Sequence, residues 1–247
     1  MVMPDSIVRT AFLGIALIAA GANSVALADD LADFNAAAEQ MESHNRVAIG
    51  YLRTDNVDLA SVEIDRLRDA WTKLNDQFAG KWPAAFKDSA YSVMVRTDIS
   101  LRLVTADMLL KSSHIEGARQ SLTAVRKDLY DWRRSAGIEV LADCIYDANL
   151  RMDALMAYDG PGLDLSKADT ASGLADKAAA YADMLDRCDA MAAAGVRNDP
   201  EFRRLVDGAR ASMKFIPPAI AEHDRDLLHR VLIELRSFDN LLAFRFG

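Results

Sequence analysis

From Leu31 to the end of the chain, apolar residues recur every three or four positions and never settle into the alternation of a half-buried strand. Leu31, Phe34, Ala38, Met41, Ala48 and Leu52 form one such stripe; Val93, Thr97, Leu101, Val104 and Met108 form another. A chain built this way must fold into helices that each hide an apolar face. Breakers are few, 12 Gly and 6 Pro in 247 residues. They gather at 80–83, 137, 159–162, 195, 199–200 and 217–218. Between them the periodicity predicts helices over 31–53, 57–78, 88–112, 115–136, 139–157, 170–193, 199–216 and 219–244. A helix of ~22 residues is about 33 Å long, a length suited to bundles. The expected fold is all-α: about eight helices in four αα-hairpins, stacked as one or two four-helix bundles. The natural division puts one bundle at 29–136 and the other at 137–247.

Residues 1–28 read as an export signal. A ten-residue apolar run, 11–20, is followed by small residues ending in Ala26-Leu27-Ala28, an A-x-A cleavage pattern before Asp29. The run falls well short of the ~20 residues that span a bilayer, and no Cys follows the cleavage point. No later stretch is long and apolar enough to span either. The compact layout points to a bacterial periplasmic protein.

Charge and motif content narrow the function. Lys and Arg number 29 against 37 Asp and Glu, a net charge of −8, the wrong sign for a general nucleic-acid binder. The chain has no G-x-S-x-G, phosphate-binding loop, dinucleotide fingerprint or H-E-x-x-H. Neither Cys144 nor Cys188 lies in C-x-x-C-H, so c-type haem attachment is excluded. The Glu-x-x-His pairs of di-iron bundles do not occur. The expectation is a non-enzymatic protein without a cofactor.

The chain repeats itself. Shifted by 58 positions, Ala48, Leu52, Ala60, Ile64, Leu67 and Arg68 fall on Ala106, Leu110, Ala118, Leu122, Val125 and Arg126. A shift of 168 adds Asp226, Leu232, Leu235 and Arg236, and Asn56, His114 and Asp224 become equivalent turn residues. Each unit reads as two helices joined by a short polar turn. Around 44–72 and 102–130 the pattern resembles tetratricopeptide helical hairpins. Ala48, Tyr51, Ala60 and Ile64, and then Ala106, Leu109, Ala118 and Leu122, stand at that family's small, aromatic, alanine and bulky positions. The 58-residue spacing exceeds the family's 34, and its Trp position holds His44 or Arg102. The resemblance implies hairpin geometry and a concave groove for peptides.

Several groups are candidates for a site. His223-x-x-Asp226-x-x-His229 offers imidazole and carboxylate ligands at helical spacing for a divalent metal such as Zn, Cu, Ni or Fe. The competing reading is a polar turn with Asp224 as helix cap. Asp159, Asp164, Ser166 and Asp169 could offer oxygens to a hard cation, or simply form a solvated loop. Arg68, Arg126 and Arg236, each at the edge of a core stripe, are candidate clamps for an acidic ligand or partner, or structural ion-pair formers. The apolar end, Phe238 to Phe246, must dock, either on its own bundle or as a homodimer contact through the last helix. The leading functional reading is a periplasmic binding or adaptor protein for another protein or a small ligand. The alternative is a metal-handling protein using the His and carboxylate groups.

Cys144 and Cys188 are the only cysteines, and an exported protein meets an oxidising compartment. Both fall on apolar stripes of consecutive helices, at roughly matched distances from the connecting loop, so they are expected to form a disulfide. Exported protein is expected to begin at Asp29-Asp30-Leu31. N-terminal sequencing checks this, and a mature chain that retained residues 11–20 would refute it.

Overall fold

The structure, a computed structural model, describes residues 19–87 and 89–247, with side chains from Asp30 onward. Residues 1–18 of the expected leader, and the side chains around its cleavage site, lie outside the described residues. Ten α-helical segments follow in order: α1 (Ala19–Arg53), α2 (Val57–Phe78), α3 (Ala90–Lys111), α4 (Ile115–Ser135), α5 (Leu141–Met156), α6 (Ala168–Met191), α7 (Ala194–Arg197), α8 (Pro200–Met213), α9 (Ile216–Ala221) and α10 (Arg225–Phe246). A 3-10 turn, Ala84–Phe86, lies between α2 and α3. Among the described residues there is no strand.

Local chemistry sets the helix starts. Asn56, Ser89 and Asp224 accept from the backbone N–H three residues on, at 3.4, 3.0 and 2.8 Å. Asp199 caps α8 through the N–H groups of Glu201 and Phe202, with Pro200 in the first turn, where its missing donor costs nothing.

Three turns share one backbone solution. Asp55, Ser113 and His223 have φ of 54°, 60° and 55°. Their numbers differ by the same 58 and 168 that align the sequence. In each turn the following residue's N–H reaches back to a carbonyl five residues earlier: Asn56 to Tyr51 (2.9 Å), His114 to Leu109 (2.8 Å) and Asp224 to Ala219 (2.9 Å). The left-handed residue closes the first helix and the next residue opens the second.

Two expectations about helix ends are corrected. The final helix predicted over 219–244 is interrupted, because the left-handed turn at His223 separates α9 from α10. Gly195 does not stop α6, which ends at Met191; the glycine lies within the short α7. A third correction concerns α3. Its buried stripe is Val95, Ile99, Leu103, Ala106 and Leu110, whereas Val93, Leu101, Val104 and Met108 face outward.

Helices pack as neighbours: α1 on α2, α3 on α4, α5 on α6, and α8 on α10, with α10 also against α5. The small residues Ala48, Ala60, Ala106 and Ala118 are fully buried and let the first two pairs approach closely. The core divides into two clusters. One runs from Phe34 to Trp132 and the other from Cys144 to Leu242. The first is centred on aromatic rings: Phe86 lies 4.5 Å from Phe34 and 4.6 Å from Trp132, centroid to centroid. The second carries the Cys144–Cys188 disulfide, with Cα atoms 5.5 Å apart, joining α5 to α6. The end of the chain docks on this cluster. Leu242 is buried and the Phe246 ring meets Phe202 edge-on at 5.1 Å, while Ile233 and Leu241 remain exposed.

At the junction of the clusters Arg133 is buried between two carboxylates. Its Nη1 and Nη2 donate to Glu42 of α1 at 3.0 and 2.9 Å, and its Nε donates to Asp143 of α5 at 2.9 Å.

The disulfide spans a separation of 44 residues, and on the chain-entropy model such a loop adds roughly 4 kcal/mol of stability. Reduction is therefore expected to lower the unfolding free energy by about that amount. All three tryptophans belong to the first cluster or its edge, so the loss should appear in far-UV circular dichroism ahead of tryptophan fluorescence. An unchanged denaturation midpoint in reductant would contradict this.

Candidate functional site

His223, Asp226 and His229 are not presented on one helical face. His223 occupies the left-handed turn, Asp226 lies in the first turn of α10, and His229 is one turn further. The His229 ring pairs instead with the loop after α5, its Nδ1 2.6 Å from Asp159 Oδ1. Among the described residues no three His, Cys, Asp or Glu side chains are grouped to hold a metal ion. The physical reason is the turn: a φ of 55° at His223 ends the helical path that would have aligned the three. The same groups line an open cavity of about 660 Å³ between Tyr158, Pro161 and the start of α10. Arg225 crosses it to donate to the carbonyl of Pro161 at 2.8 Å. In the neighbouring loop Asp164 is used locally. It accepts from the N–H and hydroxyl of Ser166 at 3.1 and 2.6 Å, bonds that hold its carboxyl below the usual carboxylate range.

The three repeated arginines serve three different helix junctions. Arg68 of α2 lies 3.5 Å from Asp107 of α3. Arg236 of α10 reaches Asp153 of α5 at 2.6 Å and Asp239 at 3.2 Å. Arg126 of α4 has no carboxylate partner among the described residues. It donates from Nη1 to Asn149 Oδ1 at 2.8 Å and lies over the Tyr146 ring at 5.0 Å. Nε and Nη2 of Arg126 are buried with no acceptor among the described residues.

Asn149 links Arg126 to a second buried group, because its Nδ2 donates to Asp239 Oδ1 at 2.9 Å. Burial pushes the Asp239 carboxyl up to about 6, against the pull of Asn149 and Arg236. Sequence reasoning missed Asp239, Arg133 and Arg46. Each is a charged residue on an otherwise apolar face, and burial of a charge leaves no periodic signal of its own.

The outward face of α3 is an exposed apolar strip. Met94, Leu101, Val104 and Met108 are exposed, Leu101 at 63% and Met108 at 64%. Among the described residues no helix is long and apolar enough to cross a membrane. Comparison with protein-family models, curated proteins and solved structures found no match.

The Asp239 carboxyl sets a pH dependence. Folded, it holds its proton more tightly than the ordinary 3.8, so it favours folding at low pH, and that contribution is lost as pH rises through about 6. Two units correspond to about 3 kcal/mol. The stability difference between wild type and Asp239→Asn is expected to shift by up to that amount against the wild type between pH 4 and 7. Urea unfolding of both proteins at the two pH values measures it, and a constant difference would contradict the burial argument.

Proposed function

We propose that this protein is a non-enzymatic adaptor of the periplasm that binds an amphipathic helix of another protein along the outer face of α3. The observation that carries the reading is the exposed seam itself. Met94, Leu101 and Met108 are seven residues apart, as are Thr97, Val104 and Lys111. This is the a/d spacing by which one helix accepts the side chains of another. An exposed run of aliphatic and thioether side chains on a soluble helix marks an interaction surface. Methionine suits it, being flexible enough to adapt to differing partners.

The size of the strip favours a partner helix over a permanent pairing of two copies. From Met94 to Met108 it is about 21 Å long and one helix wide. That is small beside the ~800 Å² per partner of a stable complex, and two copies would each bring a net charge of −8. A transient contact with a helix flanked by basic residues fits better. The disulfide and the expected leader support the assignment to an oxidising, exported location.

A photo-crosslinking amino acid in place of Leu101, in cells exporting the protein, is expected to give a discrete heavier adduct. The same probe at Ile233 should not give it, and Val104→Asp should abolish it without moving the unfolding midpoint, since Val104 is exposed. No adduct, or one of twice the chain's own mass, would overturn the reading.

A further inference from the structure

Residues of α1, α4 and α10 line a cavity of about 70 Å³. Arg46 and Arg53 of α1 and Arg126 of α4 line it. Phe244 of α10 forms one wall. It can approach because residue 50 is glycine: a Cβ there would lie 2.8 Å from the Phe244 ring. In a protein of net charge −8, three guanidinium groups around one small cavity are an unusual concentration of positive charge.

Several donors of these cations lack acceptors. The buried Arg133 has two carboxylates, whereas Arg126 has none and keeps Nε and Nη2 unsatisfied, as Arg46 keeps Nε. The other donors of Arg46 are occupied, Nη1 by the main-chain oxygen of Gly247 and Nη2 by Glu39, both at 2.6 Å, and Gly247 also lies close to Arg126 Nη2. Arg53 stands exposed at the mouth with no carboxylate partner among the described residues. Burial depresses the Arg126 guanidinium below its ordinary range; Glu42 opposes this and Arg46 adds to it. Arg53, exposed but partly desolvated at the mouth, is lowered by that desolvation and then by the nearby charges of Arg119 and Arg236. An unpaired buried donor is costly, and a buried charge more so.

We propose that the cavity between Arg46, Arg53 and Arg126 is a binding site for a small multiply charged oxyanion, a phosphate or the phosphate group of a monoester. Its volume corresponds to roughly two waters at ~30 Å³ each, the bulk of one tetrahedral oxyanion and little more. The guanidinium fork matches phosphate oxygens in pairs. Nε and Nη2 of Arg126 form one unfilled edge of this kind, Arg46 Nε is unfilled as well, and the exposed Arg53 lines the same cavity. Three cations favour a dianion over a single carboxylate. The site is independent of the α3 face, so either can fail alone.

The test is thermal unfolding and isothermal titration of the full chain with inorganic phosphate, glycerol phosphate and acetate at constant ionic strength. Saturable stabilisation by either phosphate, absent with acetate, is expected. Arg126→Gln should weaken binding by about tenfold or more and Arg53→Gln severalfold, in line with the loss of charge-assisted bonds. Arg53 is exposed, so its variant reports binding even if Arg126→Gln folds poorly. Tighter binding of the monoester would assign the site to a phosphorylated ligand, and equal binding to the free ion. No saturable effect, an equal effect of acetate, or binding undiminished in Arg53→Gln would overturn the proposal.

Discussion

The geometry of this protein depends on Arg133. Its guanidinium takes carboxylates from two directions, Glu42 in the second half of α1 and Asp143 in the first turn of α5, and all three side chains are buried. Burial alone would weaken its hold on a proton, but Glu42 and then Asp143 outweigh that and raise it above the ordinary arginine range. Asp143 is pushed upward by its own burial, with Arg133 pulling it back down. It also accepts from the Val140 N–H at 3.2 Å, so the corner between α4 and α5 is held by the same carboxyl. Such a triad adds little net stability over a well-packed apolar substitute, yet removing one member costs about 3–5 kcal/mol because a charge is left stranded. Its contribution is therefore orientation: it fixes how the second cluster is attached to the first.

The two clusters reach their stability by different means. The first uses large rings, with Phe34, Phe78, Trp82, Phe86 and Trp132 in mutual contact and the Trp132 N–H donating to Ser92 at 3.1 Å. Aromatic pairs of this kind contribute beyond their buried area. The second relies on α6, whose core face includes Ala178, a small residue with little surface to bury. There the covalent link between α5 and α6 supplies constraint that packing does not. α8 packs on both α6 and α10, and Tyr181 of α6 is fully buried in the same cluster.

Much of this architecture is legible in the sequence, and the exceptions have physical causes. Breaker residues and caps locate most helices to within a few residues, because Asn56, Ser89, Asp199 and Asp224 act through local bonds. The repeat identifies the turns, since the left-handed residues at 55, 113 and 223 sit one position before the aligned caps. Periodicity failed on α3 because that helix is apolar on two faces, and spacing cannot say which of two stripes turns inward. At 223–229 the helical count runs through a backbone reversal, and of the two readings open there the polar turn capped by Asp224 is the one present. The arginines were legible as a set but not individually. The sequence pattern aligns Arg68, Arg126 and Arg236, whereas only three-dimensional neighbours separate the two that meet carboxylates from Arg126, which does not.

The disulfide has a further consequence for the chain as a covalent object. The segment between α5 and α6, with Gly160, Pro161 and Gly162 at its tip, lies inside the ring closed by Cys144 and Cys188. A protease that nicked this loop would sever the backbone without releasing either half. The cut protein would migrate as one species until the cross-link was reduced, and the helices on both sides of the cut would stay tethered at the level of the second core. Surface wear at this connection is thereby decoupled from loss of the polypeptide's integrity.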